Sequence, residues 1–147
     1  MQVRKALDKD ISNLVENNLL LAKESENELL NKNLVKKGVS TLLSHPEKGF
    51  YIVVENDDEI IGQLMITFEW SDWRNTDLWW IQSVYVHSDF RDKGVFTILF
   101  NEVKKLAKKN EVPLLRLYVH HSNEVAQKVY EAKKMIKGTY IFYEISI

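Results

Sequence analysis

Two clusters of residues in this chain have the types and spacing to do chemistry. The first is Arg91-Asp92-Lys93-Gly94, a polar run between the β-rich stretch Trp79–Val86 and an amphipathic stretch that opens at Gly94–Val95. A helix beginning there presents unpaired N–H groups and a partial positive charge beside two cationic side chains. Gly94 would let a ligand approach the backbone with no Cβ in the way. That combination suits an anionic, phosphorylated ligand; the plainer alternative is a solvated loop whose glycine permits a tight turn. The second cluster is Asn123 and Tyr130. Their spacing is nearly two helical turns, which puts both side chains on one face, about 10 Å apart along the axis. Asn123 can cap a helix or hydrogen-bond a ligand. Tyr130, with an ordinary pKa of about 10, stays protonated at neutral pH and can give a proton to a departing group. The plainer reading is one cap and one half-buried tyrosine.

Other polar groups are less distinctive. Glu69-Trp70-Ser71-Asp72-Trp73-Arg74 sets two acids among two tryptophans, either a pocket for a cationic amine or a hairpin loop in which Arg74 pairs with Asp72. Lys104, Lys105, Lys108 and Lys109 form the solvent face of their helix. His120–His121 could line a cleft or act as a base, or simply be exposed. No third ligand stands at metal spacing, and no metal site is expected.

Periodicity supplies the elements that must position these groups. Val3–Ala6 reads as a short strand. Asp8 caps a helix with Ile11, Leu14, Val15 and Leu19–Leu21 on its apolar face, and Ala22–Asn31 reads as a polar loop or frayed turn. Asn33 is expected to cap a second helix, which His45–Pro46 ends. Phe50–Val54 and Ile60–Trp70 form a hairpin through Asn56–Asp58, followed by the polar connection Ser71–Asp77 and a strand over Leu78–Val86. The helix from Gly94 carries Val95, Ile98, Leu99, Val103 and Leu106 on one stripe. A strand over Leu114–Val119, a helix from Ser122–Asn123 through Lys134 and a final strand over Thr139–Ile147 complete the order β-α-α-β-β-β-α-β-α-β. This is a mixed α/β domain, single over residues 1–147.

Composition narrows the class. The chain has 147 residues, 45% hydrophobic and 28% charged, with a net charge of −1 from 20 basic and 21 acidic residues. Wholesale binding to nucleic acid or to an anionic membrane is disfavoured by that balance. There are no cysteines, so disulfides, thiolate metal sites and cysteine nucleophiles are excluded. Neither a signal core nor a membrane-length apolar run is present, which makes the cytoplasm the expected location.

Taken together, the two clusters resemble the GCN5-related N-acetyltransferases (GNAT), and the resemblance covers essentially the whole chain. Arg91-Asp92-Lys93-Gly94-Val95-Phe96 lies where that family has Q/R-x-x-G-x-G/A, directly after its fourth strand. Asn123, Ala126 and Tyr130 fall where its next helix carries an acyl-CoA contact and a frequent general acid. The resemblance implies a central, mostly antiparallel mixed sheet with splayed fourth and fifth strands, flanked by about four helices. It implies an N-acetyltransferase using acetyl-CoA as co-substrate and an amine acceptor, with no metal. The amides of Arg91, Asp92, Lys93, Gly94, Val95 and Phe96 would hold the pyrophosphate. Val84, Tyr85 and Val86 would pair with the pantetheine arm as an added strand does. Asn123 would contact the cofactor, and Tyr130 would protonate the leaving thiolate. On the acceptor side, Glu69 or Asp72, through water, would be the base, with Trp70 and Trp73 near the amine. Glu24 and Glu26 lie in the segment that borders the acceptor site in this family, or form a solvated acidic loop.

Three departures accompany the match. Phe96 replaces a small residue, Glu-Ala-Lys-Lys-Met follows Tyr130 where many members have a glycine, and the residues after Gly138 leave room for one strand where the family usually has two. The closing edge is therefore expected to be truncated, or completed by another chain as a homodimer. A non-catalytic acyl-CoA sensor, a nucleotide-binding protein and a structural interaction domain are the competing functions.

Overall fold

The computed structural model describes residues 1–147. Five strands form one sheet in the order β1 (Gln2–Lys5), β2 (Gly49–Asn56), β3 (Glu59–Ser71), β4 (Thr76–Val86) and β5 (Leu115–Arg116). The first four are antiparallel neighbours, and β5 joins β4 in parallel. The β2–β3 turn is the expected one: Asp57 (φ 50°) and Asp58 (φ 65°) adopt the left-handed conformation that a tight hairpin requires. The β3–β4 ladder runs on to the pair Ser71–Thr76, so strand pairing takes up part of the polar connection expected at Ser71–Asp77.

Each face of the sheet is covered by helix. Helix α3 (Val95–Lys109) lays Val95, Leu99, Phe100 and Val103 on Ile52, Val54, Leu64, Ile66 and Ile81. Val95, Leu99 and Val103 are the centre of the stripe that the sequence period specifies; Ile98 and Leu106 are only half-buried at its margin, and Phe100 and Ala107 are buried in addition. On the other face, α1 (Ile11–Glu26) and α2 (Lys32–Ser44) press Leu14, Val15, Val39 and Leu42 onto Tyr51, Val53 and Ile60. Two expectations are corrected here. The polar stretch after Leu21 continues α1 as far as Glu26, where Asn27 (φ 53°) ends it. The cap of α2 is Asn31, whose side chain accepts from the Leu34 N–H at 3.0 Å, rather than Asn33. Arg4 anchors β1 by donating to Asp10 at 2.7 and 3.0 Å and to Glu55 at 2.9 Å.

The C-terminal part departs most from expectation. The strand expected over Leu114–Val119 pairs only at Leu115–Arg116, against Trp79–Trp80, because β4 and β5 separate beyond that point. Helix α4 (Glu124–Ala132) stops before Lys134. The strand expected over Thr139–Ile147 is not formed, since residues 136–147 make no backbone hydrogen bond. Their alternating pattern has no ladder to join within the chain. No residue beyond Ala107 is buried. No helix is long and apolar enough to cross a membrane.

Candidate active site

The Arg91–Phe96 loop emerges from the end of β4 and turns into α3 with Asp92 (φ 60°) and Gly94 (φ 80°) in left-handed conformations. The first helical bond runs from the Ile98 N–H to the Gly94 carbonyl, at 3.1 Å. Six consecutive N–H groups, Asp92 to Thr97, therefore have no acceptor in the protein. A Cβ built on Gly94 would meet nothing within 4 Å, so the space over the turn is open. Unpartnered amides at a helix start, facing open space, are what a phosphate oxygen needs. The loop is also held firmly from below. A Cβ on Gly62 of β3 would lie 2.5 Å from Val95 Cγ1, so only glycine lets the sheet and the first turn of α3 approach this closely.

The cations near the loop are not all free. Arg91 folds back over β4, donating to the Val86 carbonyl at 3.0 Å and pairing with the Glu24 carboxylate above the Tyr85 ring. Tyr85 also donates to Glu24, at 3.2 Å, and burial together with the Glu24 charge pushes its pKa up. Glu24 is thus engaged with the loop's arginine and with β4, an arrangement that its place in the sequence does not convey. Lys133 supplies a second ammonium at the loop, donating to Thr97 Oγ1 at 2.6 Å. Lys133 is the residue that closes α4, three positions after Tyr130, and neither sequence cluster points to it.

Tyr130 lies edge-on to Phe96, with ring centroids 5.6 Å apart, and Phe96 stacks in turn on Phe100 at 5.7 Å. The bulky residue at position 96 thus joins α3 to α4. The Tyr130 hydroxyl has no hydrogen-bond partner in the protein, and burial raises its pKa, which keeps the proton on. Asn123 caps α4, accepting from the Ala126 N–H at 3.1 Å.

Strand β4 changes character along its length. Tyr85 and Val86 pair with Gln63 and Gly62 of β3, while the opposite edge has no strand beyond Trp80. Ser83 (φ 50°) sits where the β3–β4 register shifts, and its carbonyl accepts from the buried Gln63 amide at 3.4 Å. Val84, on the core side, packs against the α3 cluster.

The acids of the Glu69–Arg74 segment differ from one another. Glu69 accepts from Trp80 Nε1 at 2.7 Å and receives Arg116 on both oxygens at 3.1 Å. Both Glu69 oxygens are therefore occupied by neighbouring side chains. Asp72 accepts only from the adjacent Trp73 N–H, at 2.9 Å, and Arg74 reaches Ser71 rather than Asp72. The two tryptophans do not close a cage: Trp70 is 62% and Trp73 87% exposed. With Arg116 and Tyr140 these residues line an open recess of about 300 Å³. Further along β4, Gln82 binds Thr67 at 2.5 Å and Tyr118 at 3.5 Å. His120 and His121 stack on each other in solvent, and His120 binds Ser122 at 2.7 Å.

Comparison with known proteins shows the family to which this site belongs. The profile of the acetyltransferase (GNAT) family matches residues 17–135, which takes in the second half of α1, α2, the sheet from β2 on, the amide loop and Tyr130. The chain belongs to that family. A solved structure from Clostridium difficile 630, described as a possible acetyltransferase, is 40% identical, with a TM-score of 0.93 over 99% of this chain and 97% of that one. A structure described as a predicted acetyltransferase with acetyl-CoA, from Clostridium acetobutylicum, covers 99% of this chain and 95% of its own at a TM-score of 0.79. At 20% identity it shows the shared fold alone. An uncharacterized N-acetyltransferase of Methanocaldococcus jannaschii is 29% identical over 103 residues, 66% of this chain. That match spans 45% of the archaeal protein's length. In this GNAT chain the sheet, with β4–β5 as its parallel pair, and the four helices follow the family's mixed α/β architecture.

Proposed function

We propose that this GNAT protein transfers the acetyl group of acetyl-CoA to an amine of a small molecule or a protein, by direct attack in a ternary complex. The observation that carries the reading is the run of six unpartnered amides, Asp92 to Thr97, at the end of a strand whose outer edge is open beyond Trp80. The pyrophosphate fits the amides, with Lys93 and Lys133 adding charge. The pantetheine arm pairs with the free edge at Val84–Val86, and the Asn123 helix closes over it. Acetyl-CoA supplies an activated acyl carbon, and this chain's groups do the rest. The amine nitrogen forms a bond to the acetyl carbon as the carbon–sulfur bond breaks. Tyr130 gives its proton to the departing sulfur, and the surplus amine proton leaves through water. Asp72, the less engaged of the two acids, is the better candidate to receive it, while Glu69 holds Arg116 and Trp80 in place as a wall for the acceptor.

Titration calorimetry with CoA, ATP and NAD, followed by transfer assays across an amine panel, tests this reading. CoA is expected to bind and ATP and NAD not to. Absence of CoA binding at millimolar concentration overturns the proposal.

A further inference from the structure

Two outliers meet on the sheet face that α1 covers. Gln63 of β3 is fully buried, and its Oε1 has no partner in the protein. Ser83 of β4 holds φ 50°, a left-handed value that a residue with a Cβ keeps only under constraint. A half-satisfied buried amide and a strained backbone both lower stability. The bonds that Gln63 does make are long, 3.4 Å to the Ser83 carbonyl and 3.5 Å to Asn18 Oδ1. An apolar side chain of the same volume would serve the fold at least as well, so the pair calls for a role outside stability.

The strand register shows what Gln63 acts on. Pairing passes from Met65–Gln82 to Gln63–Tyr85, so Leu64 alone faces Ser83 and Val84. This is a bulge, and it takes the peptide between those two residues out of the regular ladder. Gln63 Nε2 donates to that peptide's carbonyl instead. No peptide bond is cis, so the same plane carries the Val84 N–H in the opposite direction, away from Gln63. Asn18 of α1 sets which end of the Gln63 amide faces inward, since its Oδ1 accepts from Gln63 while its Nδ2 donates to the Tyr51 hydroxyl at 3.1 Å.

We propose that Gln63 is a positioning residue for acyl transfer, setting the Ser83–Val84 peptide so that the Val84 N–H faces the thioester carbonyl. The inference rests on the function proposed above. The amide loop follows Val86, so an arm lying along Val84–Val86 runs back from the pyrophosphate and brings its acyl end to the bulge. Attack by the amine puts negative charge on the carbonyl oxygen before the carbon–sulfur bond breaks, and an N–H aimed there in advance lowers that barrier.

Gln63→Met tests this by removing the donor and keeping the volume. The kcat for transfer, or for hydrolysis of acetyl-CoA where no amine of the panel reacts, is expected to fall at least ~10-fold. The dissociation constant of CoA, which lacks the acyl group, should stay at the parent value, and the urea midpoint should hold or rise. Gln63→Glu separates the donor from the shape. Its neighbours Tyr51 and Tyr85 are uncharged, burial raising both pKa values, and Glu24 and Arg91 beyond Tyr85 pair with each other. Burial should therefore keep the new carboxyl protonated at about pH 6 and able to donate to the Ser83 carbonyl, with kcat within ~3-fold of the parent at that pH. Calorimetry on the parent reads the function by itself: failure to bind CoA there overturns that function, and this inference with it. Where the parent binds CoA and turns over, three results overturn the inference alone. These are a parental kcat in the Met variant, a fall in its kcat matched by a fall in its midpoint, and a Glu variant no faster than the Met one.

Discussion

Every buried residue of this protein lies at or before Ala107; the 40 positions from Lys108 to Ile147 contain none. Yet the candidate site draws on both regions. The amide loop belongs to the first, where Val95 and Gly62 fix it to the sheet, and Tyr130, Lys133 and Asn123 belong to the second. The N-terminal body folds around its own core. The C-terminal region is attached by a two-residue strand pairing, the Arg116–Glu69 pair, the Phe96–Tyr130 contact, the Lys133–Thr97 bond and the half-buried Val112, Leu115, Leu117 and Met135, which pack against the edge of the core. Stability and site geometry are therefore separable here to an unusual degree. Substitutions in one region should unfold the protein, and those in the other should disable it while leaving it folded.

That contrast can be broken in several ways. The largest effect is expected from Leu64→Ala, a fully buried core position, which should cost about 2–5 kcal/mol in urea denaturation. Tyr143→Ala, at a position 89% exposed, should cost under about 0.5 kcal/mol. Comparable losses from the two would abolish the distinction. Next, Tyr130→Phe should lower kcat about 100-fold with CoA affinity and unfolding midpoint nearly unchanged, because the hydroxyl has no partner in the protein. A parallel fall in thermal stability would make the tyrosine a packing residue instead.

A smaller effect concerns the anchor of the N-terminal body. Burial works to raise the Asp10 pKa, but hydrogen bonds from Arg4 and the Leu7 amide prevail and hold the carboxyl below its ordinary value. A depressed carboxyl stabilises the fold above its unfolded pKa, and that contribution is lost as pH falls through the folded value. Asp10→Asn should thus be about 2 kcal/mol less stable than the parent at pH 7. The two should converge in acid, below the usual carboxylate range, and a constant gap across pH would remove the charge from the explanation. Smallest of all, Gly94→Ala has room for its methyl but must adopt φ 80°. It should cost about 1 kcal/mol of stability from backbone strain alone. A loss of CoA binding beyond that would show the ligand packing on the bare Cα.

How legible the molecule is from its sequence follows the same division. The Asn56–Asp58 turn, the apolar stripe of α3 and the loop before it depend on neighbours within a few residues, and the sequence shows them directly. What was missed depends on residues far along the chain. Glu69 looks like a free base until Arg116 arrives from β5, and Glu24 looks like a solvated acid until Arg91 folds onto it. Thr139–Ile147 has the composition of a strand, but composition cannot supply the neighbour that a strand requires. Phe96 looked like a defect in the family pattern, and three dimensions turn it into the platform for Tyr130.

The close approach of Gly62 to Val95 carries a thermodynamic consequence for whatever binds the loop. A flexible phosphate loop surrenders conformational entropy when its ligand arrives, and that loss is subtracted from the affinity. Here the first turn of α3 is pressed against the middle of the sheet before any ligand is present, so its amides are aimed in advance. Widening that contact from the α3 side, by Val95→Ala, should leave every N–H in place yet make binding entropically less favourable in calorimetry.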